Sequence, residues 1–325
     1  MIVVRTPLRV SFAGGGSDIP EFYAYNPGAV LSVAINKYVY LSLNKSFEQH
    51  LRVSYSKTEL VKNAEELEHT RVKAALKHFG INSGLEIVNV ADVPARGTGL
   101  GSSSSFTVAL IHGLKRYLGQ NVEPRELAEL ACKIEIGDLG EKIGKQDQYI
   151  ASFGGLRFFE FFPDGAVSAK AVSYKPELLQ ELQNRLMLFY TGTQRSAHNI
   201  LRNQISGYAQ AQSVQNVKTM VDLAFLMKSG IEAGKLDDFG FILDESWRLK
   251  KTLSETISNP QIDSMYELAK KNGAIGGKLL GAGGGGFLLV YAHPEHQPPI
   301  LQALGEYVRM PFSFEETGSQ IVYNN

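Results

Sequence analysis

Apolar and polar positions change rhythm along this chain. Ile2-Val3-Val4-Arg5-Thr6-Pro7-Leu8-Arg9-Val10-Ser11-Phe12-Ala13 predicts two strands broken at Pro7. Strands are predicted at Ala29 to Ile35 and Tyr38 to Asn44, with Ile35-Asn36-Lys37 as a turn, then at Leu51 to Tyr55 and Leu85 to Val90. Ala64 to Phe79 reads as a helix closed by Gly80. Phe106, Val108, Ala109, Leu110, Ile111, Leu114 and Leu118 recur at helical spacing and predict a helix from Ser102 to Leu118. The next helix opens at Glu123-Pro124-Arg125-Glu126 and carries Glu135, and a strand follows at Leu156 to Phe162.

From about residue 185 the texture shifts. Leu186 to Tyr190 predicts a strand, and Ser196 to Ala269 is a long helical region. Ile275 to Leu280 and Phe287 to Tyr291 are strands, Glu295 to Tyr307 a helix, and terminal strands lie near Phe312 and Ile321. Two domains are expected, over residues 1–185 and 186–325.

Composition narrows the class. The 325 residues are 44% hydrophobic and 20% charged, ordinary for a globular protein. Lys plus Arg and Asp plus Glu each total 33, so no net field recruits nucleic acid or an acidic membrane. Cys132 falls in an amphipathic helical pattern and reads as a small buried side chain. Arg5 and Arg9 interrupt the only apolar stretch near the N-terminus, and no run reaches the roughly 18 apolar residues of a membrane span. A cytoplasmic enzyme is expected.

Three glycine-rich stretches carry the chemistry. Pro94-Ala95-Arg96-Gly97-Thr98-Gly99-Leu100-Gly101-Ser102-Ser103-Ser104-Ser105 joins a strand to a helix. Glycines let the backbone approach a ligand, and the first helical N–H groups favour an anion, so a phosphate suits this loop. It is no P-loop, because the last glycine runs into serines and no Lys precedes them. Gly281-Ala282-Gly283-Gly284-Gly285-Gly286 has dinucleotide-fingerprint spacing but leads into a strand where that fingerprint opens a helix. Gly14-Gly15-Gly16-Ser17-Asp18 ends in an acid that either caps the helix near Pro20 or accepts hydrogen bonds from a polyhydroxylated ligand. Asp147 precedes a mostly apolar stretch, so its carboxylate is expected near the interior, where an acid needs a reason. Glycine loops, a serine cluster, two acids and Arg9 together suit phosphoryl transfer from a nucleotide.

In order, the stretches from Thr6 to Asp18, from Pro94 to Ser105 and from Lys278 to Gly286 resemble the three motifs of the GHMP kinases. Gly15-Gly16-Ser17, Gln146-Asp147-Gln148-Tyr149 and Thr191-Gly192-Thr193-Gln194-Arg195 are similar to the branch acting on D-glycero-D-manno-heptose phosphate. The resemblance implies an α+β fold, with an N-terminal ATP-binding α/β domain and a C-terminal ferredoxin-like α+β domain with added helices. It implies a kinase phosphorylating the anomeric hydroxyl of D-glycero-D-manno-heptose 7-phosphate with ATP and Mg²⁺. By the same resemblance Asp147 orients or deprotonates the sugar hydroxyl, and Arg9 pairs with it and stabilises the transferring group. Pro94, Arg96, Gly97, Gly99, Leu100, Gly101, Ser102, Ser103 and Ser104 hold ATP. Ser103 and Glu135 match the Mg²⁺ ligands, with Ser102 or Ser104 as alternatives. Gly15, Gly16, Ser17, Asp18, Gly283 and Gly284 meet the sugar, and Arg195, or more weakly His198, binds its phosphate. The adenine pocket is placed between the N-terminal strands and the helix from Ser102. The rivals are an L-fucose or other anomeric sugar kinase, a mevalonate-type kinase, or a silent sugar-binding regulator. Partners are small molecules, with a homodimer open.

Overall fold

The protein is described by a computed structural model covering residues 1–94, 97–193 and 197–325, without the side chains of 197 and 198. Its strands are β1 (Ile2–Ala13), β2 (Gly28–Lys45), β3 (Leu51–Ser54), β4 (Thr58–Val61), β5 (Leu85–Ala91), β6 (Leu156–Phe161), β7 (Val167–Ala171), β8 (Leu186–Tyr190), β9 (Gly276–Leu279), β10 (Phe287–Tyr291), β11 (Val308–Arg309) and β12 (Gln320–Asn324). The first sheet runs β12-β1-β2-β5-β3-β4, with β6 and β7 branching from β2. The second runs β11-β8-β10-β9 and is antiparallel throughout.

Two predicted breaks are absent. β1 is one strand through Pro7, because β12 pairs only with Ile2 to Arg5 and no neighbour on that side asks for the missing N–H. β2 likewise continues through Asn36 and Lys37, which form a bulge where its register on β1 jumps from Tyr38 to Ile35. On its other side β2 changes partner there, from β6 along Gly28 to Val33 to β5 along Val39 to Lys45. The expected helix from Ala64 splits into a short 3₁₀ turn, Ala64–Glu66, and the helix Thr70–His78, capped by His69 Nδ1, which accepts from Val72 N at 3.4 Å.

The helix Ser102–Tyr117 lies on β1 and β2 and buries Phe106, Val108, Ala109, Leu110, Ile111 and Leu114. The long helical region resolves into Ala197–Gly207, Ala211–Glu232, Phe239–Lys251 and Pro260–Lys271. The second and third of these pack on each other, and Phe239–Lys251 also lies on β9 and β1. Phe12 of β1 meets Phe239 edge-on at 5.1 Å between ring centroids, and Phe239 stacks on Tyr291 of β10 at 5.4 Å. One aromatic chain therefore joins both sheets through a shared core. Among the described residues no helix is long and apolar enough to cross a membrane.

Candidate active site

The glycine loops converge on a cavity of about 1180 Å³. One small ligand fills roughly 300–1,000 Å³, so two reactants fit side by side. β1 delivers Arg9 into its wall, and the helix Gln146–Phe153 presents Asp147 from its first turn, where exposed N–H groups favour a carboxylate. Arg9 Nε donates to Asp147 Oδ1 at 2.8 Å and Nη2 to Oδ2 at 3.0 Å, a two-point pairing that fixes the carboxylate plane. The remaining nitrogen, Nη1, donates to the carbonyl of Gly99, and the Arg9 backbone N donates to Leu100 O at 3.1 Å. A Cβ on Gly101 would lie 3.2 Å from the Asp147 carboxylate, so the loop passes close over the pair.

Asp18 stands beside Asp147. It is buried, and its carboxylate accepts from Gly16 N at 3.0 Å and Gln146 N at 3.1 Å. Burial first, then the charge of Asp147, pushes its pKa above the ordinary carboxyl value. Gly15 and Gly16 line the cavity with it. Ser17 does not: its hydroxyl is buried, donating to Gly14 O at 2.7 Å and to Ala29 O at 3.1 Å and accepting from Ala29 N at 3.1 Å, so it holds the loop and is not free for substrate.

The helix after Gly101 has no side-chain cap, because Gly101 itself, left-handed at φ 76°, serves as N-cap. Its first N–H groups face the cavity with Gly97, Gly99, Gly101 and Ser102 to Ser104, an arrangement built for an anion. Pro94 is exposed away from the cavity, and Leu100 is buried without lining it. Arg96 and Arg195 lie outside the described residues, as does the side chain of His198.

Glu135 belongs to a π-helical turn, Lys133–Asp138, a widened turn that often marks a functional position. It is wholly buried, accepting from Ser104 Oγ at 2.9 Å, Gln148 Nε2 at 2.6 Å and Thr107 Oγ1 at 2.6 Å, with Arg71 Nε 2.9 Å away. Burial raises its pKa, against the pull of Arg71 and the hydrogen bonds from Thr107 and Gln148. The serine joined to Glu135 is thus Ser104, while the expected Ser103 is exposed on the cavity side.

The third loop also differs from expectation. Gly283 packs on Ile257, and Gly284 N donates to Ile257 O at 2.8 Å, so Gly281 and Ala282 are the loop residues that reach the cavity. Gly281 presses on Gly99: a Cβ there would lie 2.4 Å from the Gly99 Cα. Several lining residues carry no sequence motif. Tyr55, His69 and Phe106 form an aromatic group, with ring centroids 4.6 Å and 5.1 Å apart along it. Gln204 and Lys250 also line the wall, near Gly16 and Gly281, as does Lys278, which opens the third motif-like stretch. Each arrives from a separate element, and no local pattern in the sequence marks Gln204 or Lys250.

Two family models match, GHMP kinases N terminal domain over residues 70–155 and GHMP kinases C terminal over residues 227–309. The D-glycero-alpha-D-manno-heptose 7-phosphate kinase of Campylobacter jejuni is 32% identical, over 98% of this chain and 97% of its own. The bifunctional fucokinase/GDP-fucose pyrophosphorylase of Arabidopsis thaliana is also 32% identical, over 94% of this chain but 31% of its own length. In fold, the crystal structure of a D-glycero-D-manno-heptose 1-phosphate kinase from Bacteroides thetaiotaomicron matches with a TM-score of 0.81 at 24% identity, over the whole of both chains. With a full-length relative at that identity, and both halves of the pattern found in order, the chain belongs to the GHMP kinase family.

Proposed function

We propose that this kinase transfers the γ-phosphoryl group of ATP to the anomeric hydroxyl of D-glycero-D-manno-heptose 7-phosphate. The observation that carries the reading is the Arg9–Asp147 pair beside buried Asp18, directly under the uncapped N-terminus of the helix that starts at Ser102. The sugar lies against Gly15, Gly16 and Asp18, which accepts its hydroxyls. Asp147, oriented by Arg9, accepts the anomeric proton as that oxygen attacks phosphorus and ADP leaves. The ATP phosphates rest on the N–H groups from Gly101 to Ser104, and the purine on Tyr55, His69 and Phe106. Hydroxyl and carboxylate oxygens are the donors a hard cation takes. Ser103 and Ser104 line the cavity, whereas Glu135 lies behind them with its oxygens held by Ser104, Thr107, Gln148 and Arg71. Ser103 is thus the open donor that fits Mg²⁺, and Glu135 would join it only by giving up those bonds. The ion bound there would neutralise phosphate charge.

The test is turnover by the wild type and Asp147→Asn with heptose 7-phosphate, unphosphorylated heptose, L-fucose, galactose and mevalonate. Expected is turnover confined to heptose 7-phosphate and a fall of about 10²-fold or more in Asp147→Asn. Equal turnover of unphosphorylated heptose would overturn the phosphate requirement. Preference for L-fucose would favour the second reading, which the similarity to the Arabidopsis fucokinase supports.

A further inference from the structure

We propose that Lys250 binds the γ-phosphoryl group and neutralises it during transfer, a role that rests on the kinase reading above. The helix Phe239–Lys251 and strand β9 each send a lysine into the cavity wall, Lys250 and Lys278, and both are buried. Lys250 Nζ donates to the carbonyl of Gly281, and Lys278 Nζ to Phe12 O at 2.9 Å. An ammonium has three N–H donors, so these bonds leave capacity on both.

The charged groups facing Lys250 are Arg9 from β1, Asp18 from the turn after it, Asp147 from the helix Gln146–Phe153, and Lys278 from β9. Arg9 and Lys250 face Asp18 and Asp147 in one buried wall, while burial and the charges of Lys250 and Arg9 push the pKa of Lys278 well below the ordinary lysine value. A phosphoryl group entering beside Lys250 brings the negative charge that a buried ammonium with free N–H donors takes. Arg9 spends three of its five N–H donors on Asp147 and Gly99, which fixes the plane of its guanidinium against that carboxylate and that carbonyl. Its part is to hold the carboxylate and the loop. Lys250 sits where Gly281 presses on Gly99, at the junction of the phosphate loop and the acceptor end. Burial, and next the charge of Arg9, bring its pKa down to about 8.

Calorimetric titrations with ATP and with ADP, in the presence of Mg²⁺, need no sugar and so stand apart from the acceptor question. Lys250→Met is expected to lose about tenfold in ATP affinity and little in ADP affinity, and about 10²-fold in kcat with the acceptor KM nearly unchanged. The kcat/KM profile of the wild type is expected to fall above a pH of about 8, and that limb to move upward in Lys250→Arg. The arginine variant also covers the case in which Lys250→Met does not fold. Equal weakening of ATP and ADP, or an alkaline limb unmoved in Lys250→Arg, would overturn the proposal and leave Lys250 a strut under Gly281. Wild-type inactivity on heptose 7-phosphate, with ATP selectivity still dependent on Lys250, would sink the acceptor reading and keep this one.

Discussion

Gly99 shows how little room the site leaves to a single residue. Its φ is +74°, and a Cβ there would lie 2.3 Å from the carbonyl oxygen of Leu280. Gly99→Ala is expected to cost about 1–3 kcal/mol through backbone strain and to raise the KM for ATP, checked by urea denaturation and steady-state kinetics. The glycine was legible in the sequence, but its reason was not. A glycine in such a loop can admit a ligand or a second piece of backbone, and Gly283, pressed on the main chain of Ile257, turns out to serve the latter. Ser17 and Asp18 are neighbours with opposite fates for a similar reason, since which of them faces a cavity depends on β2 at Ala29. Lys250 was invisible among the basic residues of an amphipathic helix, because the cavity it enters is built by β1 and the helix at Gln146.

At the level of elements, alternation of apolar residues located the strands well and their joints poorly. Asn36-Lys37 has turn chemistry, yet the chain runs straight on because β2 has β1 along its length and a fresh neighbour past the bulge. The π-helical turn at Glu135 leaves no mark in the apolar pattern either. β12 closes the first sheet by pairing with Ile2 to Arg5, bringing the chain end beside its beginning. Removing residues 320–325 exposes that edge of β1. The truncated protein is expected to melt several degrees lower and to aggregate more readily, as scanning calorimetry and light scattering would report.

For the molecule as a whole, stability follows pH through its buried titratable groups. His112, on the helix Ser102–Tyr117, has Nδ1 2.9 Å from Ser319 Oγ near the chain end, and burial lowers its pKa to about 4 from an ordinary 6.5. The folded state therefore binds fewer protons than the unfolded state between those values. Stability is full above pH 6.5 and declines as the pH falls toward about 4. His112→Gln removes the titration, so the gap between urea midpoints at neutral pH and near pH 5 is expected to narrow. An undiminished gap would assign the acid sensitivity to other groups. The strands of the second sheet all come from Leu186 onward, where the texture of the sequence changes, whereas the return of β12 to the first sheet, a pairing across most of the chain, leaves no local signal.

Where Gly281 rests on Gly99, main chain meets main chain with no side chain between. The spacing of these two loops is thereby set by main chain, and a side chain at Gly99 or Gly281 would push them apart. Elsewhere the cavity is walled by side chains, such as Leu201 and Gln204 on the helix Ala197–Gly207. Exchanges on that helix reshape the cavity there while the contact between the two glycine loops stays as it is. A change of substrate in this scaffold need not disturb the chemistry.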